Sequence, residues 1–202
     1  GALWPAGADT VLEEAERRGG ALVLGPGAGR EPGTVALVRD VAARAGVALV
    51  LDADGLNAHA GRLEDLRVRR APTILTPHEG ELGRLLGAGS DEIRARRLHH
   101  ARDAARRSGA IVVLKGDDTL VAEPGGRVAV NPGATPALAT AGTGDVLSGV
   151  LAAMLAKGME PFAAACAGVH LHARAGRLAA ERIGAEGVIA SDVIAALPAA
   201  RG

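Results

Sequence analysis

Four short, largely apolar runs divide the first part of the chain: Ala21–Leu24, Val47–Leu51, Thr73–Thr76 and Ile111–Leu114. Continuous apolar runs this short, each closed at once by glycine, proline or a charged residue, are the pattern of strands buried on both faces of a parallel sheet. The intervals carry helical periodicity. A helix is expected around Asp9 to Arg18, another from about Thr34 to Ala45, and a third after Thr76 that turns Leu82, Leu85 and Leu86 inward. Residues 91–107 predict an amphipathic helix with Leu98, Ala101 and Ala105 on its apolar face. Thr119–Glu123 and Arg127–Val130 flank Pro124-Gly125-Gly126 and predict an antiparallel hairpin. Three Ala-rich helices, at about 144–157, 161–182 and 191–200, complete the chain, the last capped by Ser191 or started by Asp192. Strands alternating with helices define an α/β domain with a mostly parallel central sheet and helices on both faces. Neither a repeat nor a low-complexity linker interrupts the pattern, so residues 1–202 read as one domain.

Composition narrows the partners. With 202 residues, 48% of them hydrophobic, the chain can bury one substantial core. Basic and acidic side chains balance at 23 each, which argues against binding nucleic acid or an anionic membrane through a general field. The single cysteine, Cys166, excludes an internal disulfide framework and suits a reducing, cytoplasmic setting. No uncharged stretch is long enough to span a bilayer, and the start does not read as a signal peptide. One Trp, one Phe and no Tyr leave nothing on which to build a base-stacking platform. Only two of the 23 basic residues are lysines, a bias that reads as GC-rich coding. The arginine-rich face of 91–107, with His99 and His100, reads as solvated, because Asp91, Glu92 and Asp103 interrupt it.

The chemistry-bearing residues cluster where strands end. Gly25-Pro-Gly-Ala-Gly29, Asp52-Ala-Asp-Gly-Leu-Asn57, Pro77-His-Glu-Gly-Glu81 and Lys115-Gly-Asp-Asp-Thr119 each follow an apolar run. In a parallel sheet those ends share the carboxyl edge, where open α/β folds bind ligands. The glycine loop fits either a binding loop or a plain turn. Asp52 and Asp54 fit hydrogen bonding to a ligand, water-mediated contact with Mg²⁺, or, for Asp54, capping of a short helix. The helix dipole alone accounts for Glu79 and Glu81, and His78 stands as a lone loop histidine. His170 and His172, two residues apart on a helix, cannot share a face and read as packing or surface residues rather than a metal pair. A fifth stretch, Ala139-Thr-Ala-Gly-Thr-Gly-Asp145, opens the helix from about 144. The free N–H groups of that helix start can hold a phosphate, and Asp145 beside them can accept a proton from a substrate hydroxyl.

Taken in order, these segments resemble the NAD(P)H-hydrate dehydratases of the ribokinase-like superfamily. The resemblance rests on Gly25–Gly29, Leu51-Asp-Ala-Asp-Gly-Leu-Asn57, Leu75-Thr-Pro-His-Glu-Gly-Glu81, Leu114-Lys-Gly-Asp-Asp-Thr119 and Ala139–Gly149, with Gly168–His172 and Ala190–Asp192 also in place. It covers residues 20–195. The Gly142–Asp145 turn marks the superfamily; the Asp52–Asn57 and Thr76–Glu81 segments point to the family.

The resemblance implies a ribokinase-like three-layer sandwich. It implies an ADP-dependent lyase, with ATP as the alternative nucleotide, that uses Mg²⁺ and repairs the hydrated cofactors NADHX and NADPHX. Carried over by position, Lys115, Gly116, Asp117, Asp118, Thr119, Gly142, Thr143 and Gly144 would contact the nucleotide. Gly27, Gly29, His78, Asp54, Asn57 and Asp145 would contact the substrate, with Asp145 as the catalytic base and no protein metal ligand assigned. A homotetramer and an epimerase domain or protein as partner are further implications. Three positions depart from the family pattern: Ala134-Thr-Pro-Ala137 stands for a common Gly-Asn-Pro-Gly, Glu79 for proline and Gly55 for alanine. The family's opening strand and glycine segment are expected to be missing, which makes this an N-terminally truncated domain. Rival readings are a ribokinase-like kinase for a small vitamin-precursor alcohol and an inactive nucleotide-binding fragment.

Overall fold

A computed structural model describes residues 7–133 and 135–202. Helix α1 (Ala8–Arg18) leads into β1 (Ala21–Leu24), α2 (Pro32–Arg44) and β2 (Ala48–Leu51). A one-turn helix α3 (Asp54–Asn57) and a 3-10 segment (Leu63–Val68) precede β3 (Thr73–Leu75). Helices α4 (Glu79–Leu86), α5 (Ser90–Ala95) and α6 (Arg97–Ser108) then lead to β4 (Ile111–Leu114) and the hairpin of β5 (Thr119–Ala122) and β6 (Val128–Asn131). A 3-10 turn (Pro136–Ala139) introduces α7 (Thr143–Ala156), α8 (Pro161–Ile183) and α9 (Ala190–Ala200).

The six strands lie side by side in sequence order, β1 to β4 parallel and β4, β5 and β6 antiparallel. The two-residue period of a strand sorts the core into two layers. Leu49, Leu51, Leu75, Val112 and Leu114 face one way and pack on α2, α4 and α6 through residues such as Leu82, Leu85 and Ala104. Val50, Ile74, Ile111 and Val113 face the other way and meet Leu147, Leu151 and Leu155 of α7 and Ala164 and Val169 of α8. Helices therefore cover both faces, as the alternating pattern predicts. Among the described residues no helix is long and apolar enough to cross a membrane.

The expected helix over 91–107 is two helices. The chain breaks at Arg96 (φ −139°, ψ 44°), which resets the phase of the second. With α6 starting at Arg97, its buried stripe is His100, Ala101, Ala104, Ala105 and Ser108, while Leu98, expected inside, is 49% exposed. The reset also turns Arg97 inward, its side chain 19% exposed, so the basic face is not uniformly solvated. At the last helix neither Ser191 nor Asp192 is the first residue. Asp192 sits in the first turn and its Oδ2 accepts from the Ile189 N–H at 3.0 Å.

Candidate functional site

Backbone hydrogen bonds stitch the strand ends together in order. The Asp52 N–H donates to the Leu24 carbonyl at 3.2 Å, Thr76 N–H to Leu51 at 3.1 Å, and Lys115 N–H to Pro77 at 2.9 Å. The four loops therefore leave one edge of the sheet as neighbours. Gly25 makes this possible: a Cβ there would lie 2.0 Å from the Asp52 carbonyl oxygen and 2.4 Å from the Gly55 nitrogen. Only a residue without a side chain lets the two loops touch.

Asp52 is the hub. It is 2% exposed; its Oδ1 lies 3.0 Å from Lys115 Nζ, and the Ser148 hydroxyl of α7 donates to its Oδ2 at 2.8 Å. Burial, the strongest single influence, opposes its ionisation. The Lys115 ammonium and the hydroxyls of Ser148 and Thr76 together outweigh burial, so the carboxyl titrates below the ordinary carboxylate range. The neighbouring residue, Ala53, holds a left-handed φ of 50° with ψ −117°, and such backbone strain clusters at functional sites.

Lys115 also faces Glu81, whose Oε2 lies 3.8 Å from Nζ. Glu81 is 6% exposed and accepts from the His78 N–H at 2.9 Å. His78 completes a capping box for α4: its Nδ1 accepts from the N–H groups of Gly80 at 3.0 Å and Glu81 at 3.4 Å. Backbone donors need a lone pair, so the ring proton of neutral His78 sits on Nε2, 3.5 Å from Glu81 Oε1. The dipole argument for Glu81 is therefore incomplete. This glutamate joins the His78 turn to Lys115.

On the other flank, Asp54 is the first residue of α3, not its cap, and spends its carboxylate elsewhere. Its Oδ2 accepts from the Gly29 N–H at 3.0 Å, while Oδ1 meets Arg30 Nε at 2.8 Å and Asn57 Nδ2 at 3.2 Å. The Arg30 bond leads the influences that hold the Asp54 carboxyl below its usual value. Asn57 passes the connection on, its Oδ1 accepting from Arg84 Nε of α4 at 2.8 Å. Gly27 and Gly29 themselves are exposed.

The G-T-G-D turn closes over this edge. Gly142 carries the αL conformation (φ 87°) that turns the chain into α7. A Cβ on Gly144 would lie 3.6 Å from Lys115 Nζ and 3.7 Å from Asp52 Oδ2, so the helix start sits directly on the ion pair. Thr143 is buried and its hydroxyl lies 2.7 Å from the Leu138 carbonyl and 2.8 Å from that of Thr140, which fixes the turn. Its own carbonyl accepts from His172 Nε2 at 2.9 Å. A carbonyl can only accept, so that nitrogen carries the proton. Burial pushes the imidazole down to about 4, with the Lys115 charge acting in the same direction, and His172 is neutral at pH 7. His170 is exposed. Asp145 stands exposed in the first turn of α7, and its carboxylate has no side-chain partner among the described residues.

Gly116, Asp117 and Asp118 are exposed at the end of β4. Asp118 Oδ1 accepts from the Gly133 N–H at 3.3 Å, and Thr119 Oγ1 lies 3.5 Å from the Gly116 carbonyl. Of the departing segment 134–137, Ala134 lies outside the described residues. Thr135 caps the following 3-10 turn and Ala137 is fully buried. A groove of about 700 Å³ lies along α6, lined by Arg96, Arg97, Leu98, His99, Arg102 and Arg106. None of the expected site residues lines it, and its Arg102 and Arg106 already bond to the Gly126 carbonyl and Asp103.

The sequence pattern thus brings Asp54, Asn57, Lys115 and Gly144 to one edge, with Asp145 at its mouth, and overlooks Ser148, Glu81 and His172. Ser148 lies one turn past Gly144 on the buried side of α7, a helical spacing that identifies it only once the direction of that face is known.

A mostly parallel sheet between two helical layers, with a glycine turn opening a helix over its carboxyl edge, is the ribokinase-like α/β class. A profile of the NAD(P)H-hydrate dehydratases matches residues 4–199, and the chain belongs to that family. It is 52% identical over 162 residues to a bifunctional NAD(P)H-hydrate repair enzyme of Gloeobacter violaceus, covering 80% of this chain and 31% of that protein. It is 43% identical over 156 residues to an ADP-dependent (S)-NAD(P)H-hydrate dehydratase of Neisseria meningitidis, covering 76% and 52%. An ADP/ATP-dependent NAD(P)H-hydrate dehydratase of Bacillus subtilis, crystallised with ATP and Mg²⁺, superposes with a TM-score of 0.79 at 32% identity, covering 90% of this chain and 63% of that one. The chain spans about a third of the length of the bifunctional relatives.

Proposed function

We propose that this chain carries the ADP-dependent dehydratase reaction that returns NADHX and NADPHX to NADH and NADPH. The observation that supports it best is the exposed Asp145 in the first turn of α7, without a side-chain partner among the described residues, on a helix start seated over the Lys115–Asp52 pair. The hydroxyl on the hydrated ring is a poor leaving group. Asp145 takes its proton as its oxygen attacks the terminal phosphoryl group of the nucleotide, whose P–O bond breaks. The C–O bond then breaks with loss of inorganic phosphate, a ring proton is released, and the reduced nicotinamide reforms. The N–H groups of Gly144 and Asp145, which lie between the bonded N–H groups of Thr143 and Val146, stabilise negative charge on the transferred group, and the Lys115 ammonium adds to the same field.

In this reading Lys115–Thr119 and Gly142–Gly144 form the nucleotide side. Gly27, Gly29, His78, Asp54 and Asn57 form the substrate side, with Asp145 between them. Among the described residues no group of three His, Cys, Asp or Glu side chains could hold a metal. In this reading Mg²⁺ would arrive on the nucleotide phosphates, with exposed carboxylates such as Asp117, Asp118 and Asp145 on the same loops. When bound, the ion would neutralise phosphate charge. A cytoplasmic location, a homotetramer and an epimerase partner belong to the same proposal, the last supported by the bifunctional repair enzymes among the relatives.

The test is to incubate the protein with NADHX, Mg²⁺ and either ADP or ATP and follow recovery of reduced-nicotinamide absorbance. Recovery supports the dehydratase. A stable phosphorylated small alcohol formed instead would establish the kinase reading. Nucleotide binding without turnover of either kind would establish a silent binding domain.

A further inference from the structure

Arg97 opens α6 in a stretch whose arginines read as solvated, yet its guanidinium is spent inside the protein. Its Nη2 lies 2.8 Å from the carbonyl oxygen of Asp118 and 3.3 Å from those of Leu114 and Lys115. These carbonyls bracket the turn after β4. Nη1 donates to Glu79 Oε1 in the first turn of α4, and both side chains are largely buried, 19% and 21% exposed. Glu79 Oε2 is held in turn by Arg94 Nε at 3.0 Å. A planar donor set anchored on a carboxylate and aimed at several carbonyls is a geometry that lysine cannot reproduce.

A second observation comes from the turn itself. A Cβ on Gly116 would lie 2.5 Å from both Nη1 and Nη2, so the guanidinium fills the space beside that residue. The exposed turn 116–118 otherwise has few internal anchors: the Asp118–Gly133 bond and a long Thr119 contact. Glu79 stands where a proline is common in the family pattern, and a proline there would supply no carboxylate to anchor Arg97.

We propose that Arg97 is a positioning residue for nucleotide binding: oriented by Glu79, it holds the Lys115–Thr119 turn in the conformation that receives the phosphates of a nucleoside di- or triphosphate. The inference rests on the reading of that turn as the nucleotide side of the site. Arg97 touches neither ligand directly. It fixes the carbonyl side of the turn, which leaves the opposite side of those peptides for a ligand. Loss of the brace frees the turn, so nucleotide binding must order it again.

The test is calorimetry of ADP and ATP binding with Mg²⁺ to the wild-type chain and to Arg97→Ala, Arg97→Lys and Glu79→Gln, with substrate KM measured alongside. Arg97→Ala is expected to raise the nucleotide Kd about tenfold, the scale for losing a charge-assisted hydrogen-bond set, with the substrate KM within about twofold. Arg97→Lys should recover little, and free guanidinium ion at low concentration should partly restore the alanine variant against a sodium control. Glu79→Gln, which keeps the arginine, should show a smaller rise and decides the matter if Arg97→Ala does not fold. Unchanged nucleotide affinity in the variants, or equal losses for nucleotide and substrate, would overturn the positioning role. A wild-type chain that binds no nucleotide would instead remove the functional reading and this inference with it.

Discussion

Lys115 and Asp52 form an ion pair, Nζ to Oδ1 3.0 Å, between the ends of two strands separated by β3. The Asp52 side chain is 3% exposed and that of Lys115 23%, so only the carboxylate is cut off from bulk water. Lys115→Ala leaves that buried carboxylate without its counter-charge, and in urea unfolding should approach the loss of about 3–5 kcal/mol for breaking a buried pair. Asp52→Ala leaves a partly exposed ammonium with Glu81 Oε2 still 3.8 Å away and should cost less, and the double variant should lose clearly less than the sum of the two. Strict additivity would show that the pair is not coupled.

Asp145→Asn should separate chemistry from folding. The side chain is exposed and without a side-chain partner among the described residues, so stability should change by no more than about 0.5 kcal/mol. Under the proposed reaction, in which Asp145 is the base, turnover of NADHX should fall about 10²–10⁴-fold. Single-turnover kinetics at saturating nucleotide would measure it, and a near-normal rate would remove Asp145 from that role.

His172 predicts an acid limb in stability. Its imidazole, pushed down to about 4 by burial, stays neutral while the unfolded chain takes up a proton below about pH 6.5. The stabilisation is thus complete above about 6.5 and drains away as pH falls toward 4, by at most about 3 kcal/mol. His172→Gln keeps a donor for the Thr143 carbonyl but cannot titrate, so its stability should depend less on pH across that window. Part of the slope will remain, because burial also lowers His59. Parallel pH curves for the two proteins would contradict the assignment.

Gly25→Ala should be among the most damaging small substitutions. The new methyl carbon would meet backbone atoms of Asp52 and Gly55 at 2.0 and 2.4 Å, and φ is 124°. Backbone cannot rotate away as a side chain can. A loss above about 2 kcal/mol is expected, read as a fall in Tm together with weaker substrate binding.

The sheet, the hairpin and the three final helices are legible because strands buried on both faces and Ala-rich helices announce themselves by pattern. The edge that gathers the loops follows from parallel pairing, and Asp145 from the turn before it. What escaped depends on rotation about helix axes. Whether Arg97 is solvated or braced is decided by a single break at Arg96, and no periodicity marks where a helix will reset its phase. Ser148 and His172 look like ordinary helix residues until α7 and α8 are laid across the sheet. The cap suggested for Asp54 was a local reading of a residue whose partners, Gly29 and Arg30, lie on the preceding loop.

The hydrogen bond from Ser148 to Asp52 spans 96 positions. Contacts this distant in sequence close slowly relative to local structure. The pair of Asp52 and Lys115 is thus completed by a residue far beyond both, and a chain ending before α7 would lack Ser148 and, on the proposed reading, the helix start that receives the nucleotide.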